Sequence, residues 1–223
     1  MNQRLVVKRA FSLLELILVI VVIGIISAVM VPRINDVQID KAAQQVLTHI
    51  RYTQHLAMMD NRFDPQDPNW FKKRWQIRFQ TKNSHIVYTI YKDNDADGAS
   101  NPELIQDVIA ANPLNRNQKL TGRDDAANSG AYNKKMDLTK TYNIKRVYFR
   151  HCINSKRIYF DYLGRAMAGD PASLDRPYYE DDHNKNYLLQ NRCEITLVDR
   201  NDKKVTIAIE PETGYAYISK IER

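Results

Sequence analysis

The stretch DNDADG, Asp93 to Gly98, sets three carboxylates at alternate positions ahead of a glycine. A hard cation such as Ca2+ needs several oxygens at about 2.3–2.6 Å. This spacing lets a tight turn gather Asp93, Asp95 and Asp97 while Gly98 takes the sharp bend. Counted from Asp93, the twelfth position of an EF-hand loop is Leu104 and not glutamate, and Glu103 falls one residue early, so the EF-hand itself is excluded. Bound Ca2+ and a solvated acidic turn are the two readings of this segment, and Ca2+ is the one cofactor the sequence suggests.

Cys152 and Cys193 are the two cysteines. In an oxidising compartment a bridge closing a loop of about 40 residues adds on the order of 4 kcal/mol by the chain-entropy model. The alternative is a pair of small buried hydrophobes with no bond. The five histidines, His49, His55, His85, His151 and His183, form no HxxxH pair, and the chain has no Gly-x-Ser-x-Gly elbow and no phosphate loop. No active site emerges from these residues, and the chain reads as a non-enzyme. Basic and aromatic residues interleave in IKRVYFRH and SKRIYFDY, with further cations at Lys72, Lys73, Arg74, Lys134, Lys135, Lys203, Lys204, Lys220 and Arg223. Clustered cations and exposed rings are what nucleic acid requires. In strands, however, the rings face a core and the charges face water, so a solvated surface competes with that reading.

Glu15 is the most conspicuous acid in the chain. From Phe11 to Val31 it is the only ionisable side chain, and as a helix this run is roughly 31 Å long, enough to span a membrane. A carboxylate there costs a few kcal/mol at mid-bilayer and less near an end, so its presence is a functional hypothesis.

The elements that position these residues follow from periodicity. Ile39, Ala43, Val46, Ile50 and Ala57, widened by Leu47 and Leu56, make the apolar stripe of an amphipathic helix from about Asp36 to Met59, ending before Pro65. The pattern then turns to β. A hairpin is predicted from Arg74–Gln80 and His85–Asp93, with strands at Arg146–His151, Lys156–Gly164, Cys193–Asp199, Lys204–Glu210 and Tyr215–Ser219. Ala110–Asn143 and Met167–Asn191 read as long surface loops. A chain of 223 residues holds one ordinary domain and an anchor, and its formal charge of +7 permits anionic partners without demanding them.

The order of basic leader (Arg4, Lys8, Arg9), Ala10, Phe11, Ser12, Leu13, Leu14, Glu15 and apolar helix resembles the processing and methylation signal of type IV pilins and type II secretion pseudopilins. The resemblance implies a leader of residues 1–10, cleavage between Ala10 and Phe11 by a prepilin peptidase, and N-methylation of Phe11. Loss of the leader would bring the formal charge to 30 − 26 = +4. It further implies that Glu15 pairs with the terminal ammonium of a neighbouring subunit, and that the helix loosens between Gly24 and Pro32 in the filament. The family usually has glycine before the cut, where this chain has Ala10. Trp75, the segment YTIYKDNDADGASNPELIQ, FDYLGRA and the terminal IAIEPETGYAYI are similar to the H-type minor pseudopilins, the FimT/GspH group.

The fold so implied is α+β and type IV pilin-like. A membrane and filament-core helix (11–31) and an amphipathic half (32–60) are packed against a C-terminal antiparallel β-sheet domain (61–223). The implied function is a minor pilin or pseudopilin, a structural subunit of a type II secretion pseudopilus or type IV pilus. A DNA-binding minor pilin of a transformation pilus is the alternative. The implied partners are other pilins, the prepilin peptidase and an inner-membrane assembly platform. The implied location is the bacterial inner membrane, single-pass, with the globular part periplasmic.

Overall fold

The computed structural model describes residues 12–94, 108–124, 130–153, 155–178 and 187–222, with the backbone alone for 28–36. Helix α1 (Leu13–Met59) runs without interruption through Gly24 and Pro32. The chain divides into two units, Met1–Val37 and Gln38–Arg223.

In the second unit the stripe read from the sequence is the buried face of α1. Ile39, Ala43, Val46, Ile50 and Ala57 all lie in the core, with Leu56 half-buried beside them. Burying such a stripe, at about 25 cal/mol per Å2 of apolar surface, is what holds a helix of modest intrinsic propensity in place.

Strands β1 (Trp75–Lys82) and β2 (His85–Lys92) pair in unbroken register from Trp75 opposite Lys92 to Lys82 opposite His85. Their two-residue turn, Asn83-Ser84, has φ of 47° and 64°, and positive φ at both central positions matches the twist of the flanking strands. A five-stranded sheet adds β3 (Val108–Ile109), β7 (Arg157–Phe160) and β8 (Ala166–Ala168) in the order β3-β2-β1-β7-β8. A second sheet of four strands is ordered β11 (Ala216–Glu222), β10 (Lys204–Ile209), β9 (Cys193–Asp199) and β6 (Ile144–Arg150). A two-stranded ribbon pairs β4 (Ala111–Asn112) with β5 (Asn115–Lys119), and a short helix α2 spans Leu138–Tyr142.

Alternation along the strands feeds two cores. Trp75, Ile77, Phe79, Ile158 and Phe160 join the α1 stripe and the inner residues of β9 and β10 in the main cluster. Tyr159, pointing the other way from β7, packs with Phe71, Met167 and Leu174 in a smaller one.

Two expectations are corrected. The type IV pilin-like fold, a long N-terminal helix laid on one antiparallel sheet, is not what this unit builds. Its body is mostly β, in two sheets and a ribbon, and only the part of α1 from Gln38 onward belongs to it. The membrane span at 11–31 and the single-pass inner-membrane location fall with a second finding. Among the described residues, no helix is long and apolar enough to cross a membrane. The descriptions of the chain as a transmembrane, inner-membrane, type IV pilin-like protein are corrected with it.

The two supposed surface loops are also partly interior. Leu120, Met136, Leu138 and Tyr142 enter the main core from the first, and Leu174 and Leu189 are buried from the second. Their apolar residues are too sparse to show a period, which is why the pattern missed them.

Candidate functional site

Glu15 sits in the first turn of α1 and is exposed. Its backbone amide donates to Ser12 Oγ at 3.2 Å, and Leu16 N donates to Ser12 O at 3.2 Å, so Ser12 caps the helix. Ser-x-x-Glu is the capping-box signature, and an acid at a helix N-terminus also suits the macrodipole. The sequence carried this local role for Glu15 in Ser12-Leu-Leu-Glu15, where attention to hydropathy alone passes over it.

Around and beyond Glu15 the apolar side chains are uncovered on every side. Leu13 is 77% exposed, Leu14 75%, Ile20 60% and Ile25 61%, with Val19 the least at 40%. Gly24 has open space where a Cβ would stand. A helix apolar all round is a buried helix in any stable state, so this surface requires a cover. Ala10 and Phe11 lie outside the described residues.

Cys152 and Cys193 are joined, with Cα atoms 4.9 Å apart. The bridge ties the segment following β6 to the start of β9, beside the paired Arg150 and Glu194. Of the proposed Ca2+ ligands, Asp93 is buried at the end of β2, while Asp95 and Asp97 lie outside the described residues. Among the described residues no group of three or more His, Cys, Asp or Glu could hold a metal ion.

Among the described residues the histidines are not brought together, and His183 lies outside them. His55 is exposed, and His85 Nδ1 lies 2.9 Å from Asp137 Oδ2. His49 is tied to Tyr88 within a network that includes Gln45 and Tyr142, and burial pushes its pKa down to about 4. The cations singled out in the sequence fall on several elements, and Arg223 lies outside the described residues. Lys73 pairs with Asp67 at 2.8 Å, and Lys204 and Lys220 both pair with Glu222.

Arg74 departs most from the solvated reading, being 3% exposed. Its guanidinium lies 5.3 Å from the Trp70 ring centroid and 5.0 Å from that of Tyr178. It donates to Pro177 O and Met167 Sδ, and desolvation is the main force lowering its pKa. Asp60, just past the end of α1, receives Trp75 Nε1 at 2.9 Å, Lys92 Nζ at 2.8 Å and Arg62 at 3.0 Å. These are structural ties between helix and sheet.

Comparison of the chain with protein-family models, curated proteins and solved structures finds no match.

Proposed function

We propose that this chain is a structural subunit of a type II secretion pseudopilus or a type IV pilus, matured by a prepilin peptidase between Ala10 and Phe11. The observation that carries this reading is the run from Leu13 to Ile26, with every large apolar side chain exposed and Glu15 its only charge. Side-by-side packing of such helices from many subunits supplies the missing cover and removes the apolar surface from water. Within that apolar bundle a lone carboxylate is costly, and the ammonium created at Phe11 by cleavage answers it across subunits. In this role the chain is the peptidase's substrate and performs no catalysis of its own.

Glu15→Gln tests the reading, because it separates the two roles of this side chain. Glutamine at the third helical position keeps the capping box and removes the charge. A helix-capping role alone leaves Glu15→Gln subunits assembling normally. The filament role predicts normal cleavage and a severe loss of incorporation, read by immunoblot of sheared filaments. Intact-mass measurement of assembled wild-type subunits should find a chain starting at N-methylated Phe11. A chain starting at Met1, or wild-type levels of assembly by the variant, overturns the proposal.

A further inference from the structure

Arg74, immediately before β1, and Gln76, Arg78 and Gln80 within it occupy alternate positions, on the face opposite Trp75, Ile77 and Phe79. In the antiparallel register Arg78 stands directly across from Arg157 of β7. Like charges at opposed positions repel. The pKa of Arg78 is lowered by burial first and by Arg157 next, with opposing help from the Tyr91 hydroxyl and Asp170. Arg157 has its own counterion in Asp170. Arg78 makes no ion pair among the described residues, and its Nη1 is buried with no acceptor. Arg78 is thus supported by the Tyr91 hydroxyl and by the more distant Asp170 but has no carboxylate of its own, so a buried cation is left to attract an anion from the groove beside it.

That groove, of about 740 Å3, is lined by Arg78, Arg157 and the exposed Lys156, with Asp170, Ser155 and Ser173. Three cations stand against one carboxylate. The carboxylate is already committed, since Asp170 also accepts from Ala172 N at 3.1 Å. Lys156 makes no ion pair among the described residues. The Ser155 hydroxyl accepts from Arg157 N at 3.1 Å, which leaves its own proton to donate. Guanidinium forks match planar or tetrahedral oxoanions, and the pairing is strongest where water is partly excluded.

We infer that this groove binds an oxoanion, a carboxylate or phosphate group, between Arg78, Arg157 and Lys156. The site belongs to Gln38–Arg223 and does not depend on the filament reading, so either can fail alone.

The test is thermal unfolding of the full chain at fixed ionic strength in chloride, inorganic phosphate or succinate, followed by titration calorimetry with the more effective anion. A ligand that binds the folded state raises the midpoint in proportion to the logarithm of its concentration. Phosphate or succinate is expected to raise it beyond chloride, and the larger rise identifies the source. Arg78→Gln should abolish the increment and weaken binding at least about tenfold, which is the scale of one charge-assisted hydrogen bond. In chloride its midpoint should equal or exceed that of wild type, because the repulsion with Arg157 is gone. Persistence of the increment in Arg78→Gln would mark it as a general salting effect and overturn the site. Should Arg78→Gln fail to fold, Lys156→Gln at its exposed position decides. A severalfold loss of affinity supports the site, and unchanged affinity overturns it, as does equality of all three anions on wild type.

Discussion

The Tyr88 hydroxyl and His49 Nδ1 lie 2.7 Å apart, and the bonds around them fix which atom gives the proton. The Tyr142 hydroxyl donates to Gln45 Oε1 at 2.6 Å, which orients that amide so that Gln45 Nε2 donates to Tyr88 Oη at 2.8 Å. Tyr88 then gives its own proton to the unprotonated Nδ1 of His49. A charged imidazole has no lone pair to receive it, and burial already disfavours that form, holding His49 at about 4.

Stability should accordingly fall as pH drops from about 6.5 to about 4. Over that window the unfolded chain takes up a proton at His49 that the folded chain refuses, so unfolding is favoured by acid. The contribution is on the order of 2 kcal/mol at pH 4, after discounting for partial solvent screening of the ring. Urea unfolding at pH 7, 5.5 and 4.5 measures it. His49→Gln should show a shallower pH dependence than wild type; equal slopes would mean that other groups carry the effect.

Reduction of Cys152–Cys193 should lower unfolding free energy by up to about 4 kcal/mol, the chain-entropy value for the 41-residue separation. Because β6 and β9 stay paired through six further residue pairs, from Ile144 opposite Asp199 to Arg150 opposite Glu194, the reduced protein should keep its sheet. Urea midpoints with and without dithiothreitol, followed by far-UV circular dichroism, test both halves of the claim. Loss of β signal on reduction alone would show that the bridge specifies the fold.

Periodic segments were legible and aperiodic ones were not. The stripe Ile39–Ala57 and the strands at Trp75, His85, Cys193 and Lys204 announce themselves because one face of each is apolar at a fixed interval. Leu120 and Met136 reach the same core from stretches dominated by Asn, Asp and Lys, where single apolar residues leave no period to read. The division into two sheets was hidden for a different reason. Pairing of β1 with β7, some 80 residues later, is a choice among partners that strand propensity does not make. At the candidate site, hydropathy found the exposed helix, but the capping bond from Glu15 N to Ser12 Oγ shows that the acid has a local role as well. Arg74 read as a surface cation because charges in strands usually face water; the second core occupies that face instead.

Gly214→Ala should destabilise the fold by roughly 2–3 kcal/mol, combining strain at positive φ with a steric clash. Gly214 has φ of 62°, and a Cβ there would meet Gly164 O at 2.3 Å and Gln54 Nε2 at 2.7 Å. Gln54 Nε2 donates to both Gly164 O and Thr213 O at 2.8 Å, so the clash would break the tie between α1 and two turns. Gly24→Ala is the counterpart. With nothing within 4 Å of the new Cβ it should add helix content worth about 1 kcal/mol, seen as a rise in the 222 nm signal.

Arg74→Met should be tolerated within about 1 kcal/mol, while Arg74→Ala should cost about 3 kcal/mol or more. The aliphatic stem and guanidinium plane of Arg74 fill the space between Trp70, Tyr159 and Tyr178, and its Nε is buried without a partner. A buried cation with incomplete hydrogen bonding gives little net stability over an apolar group of similar volume, whereas truncation leaves a cavity. The nearby carboxylate does not lose its counterion in either variant. Asp161 Oδ2 is held by Arg165 Nε at 2.7 Å, and Asp161 Oδ1 accepts from Leu163 N and Arg165 N. Urea midpoints of the two variants give the comparison directly. Equal losses would show that the charge, through its attraction to the three rings, contributes more than the volume it fills.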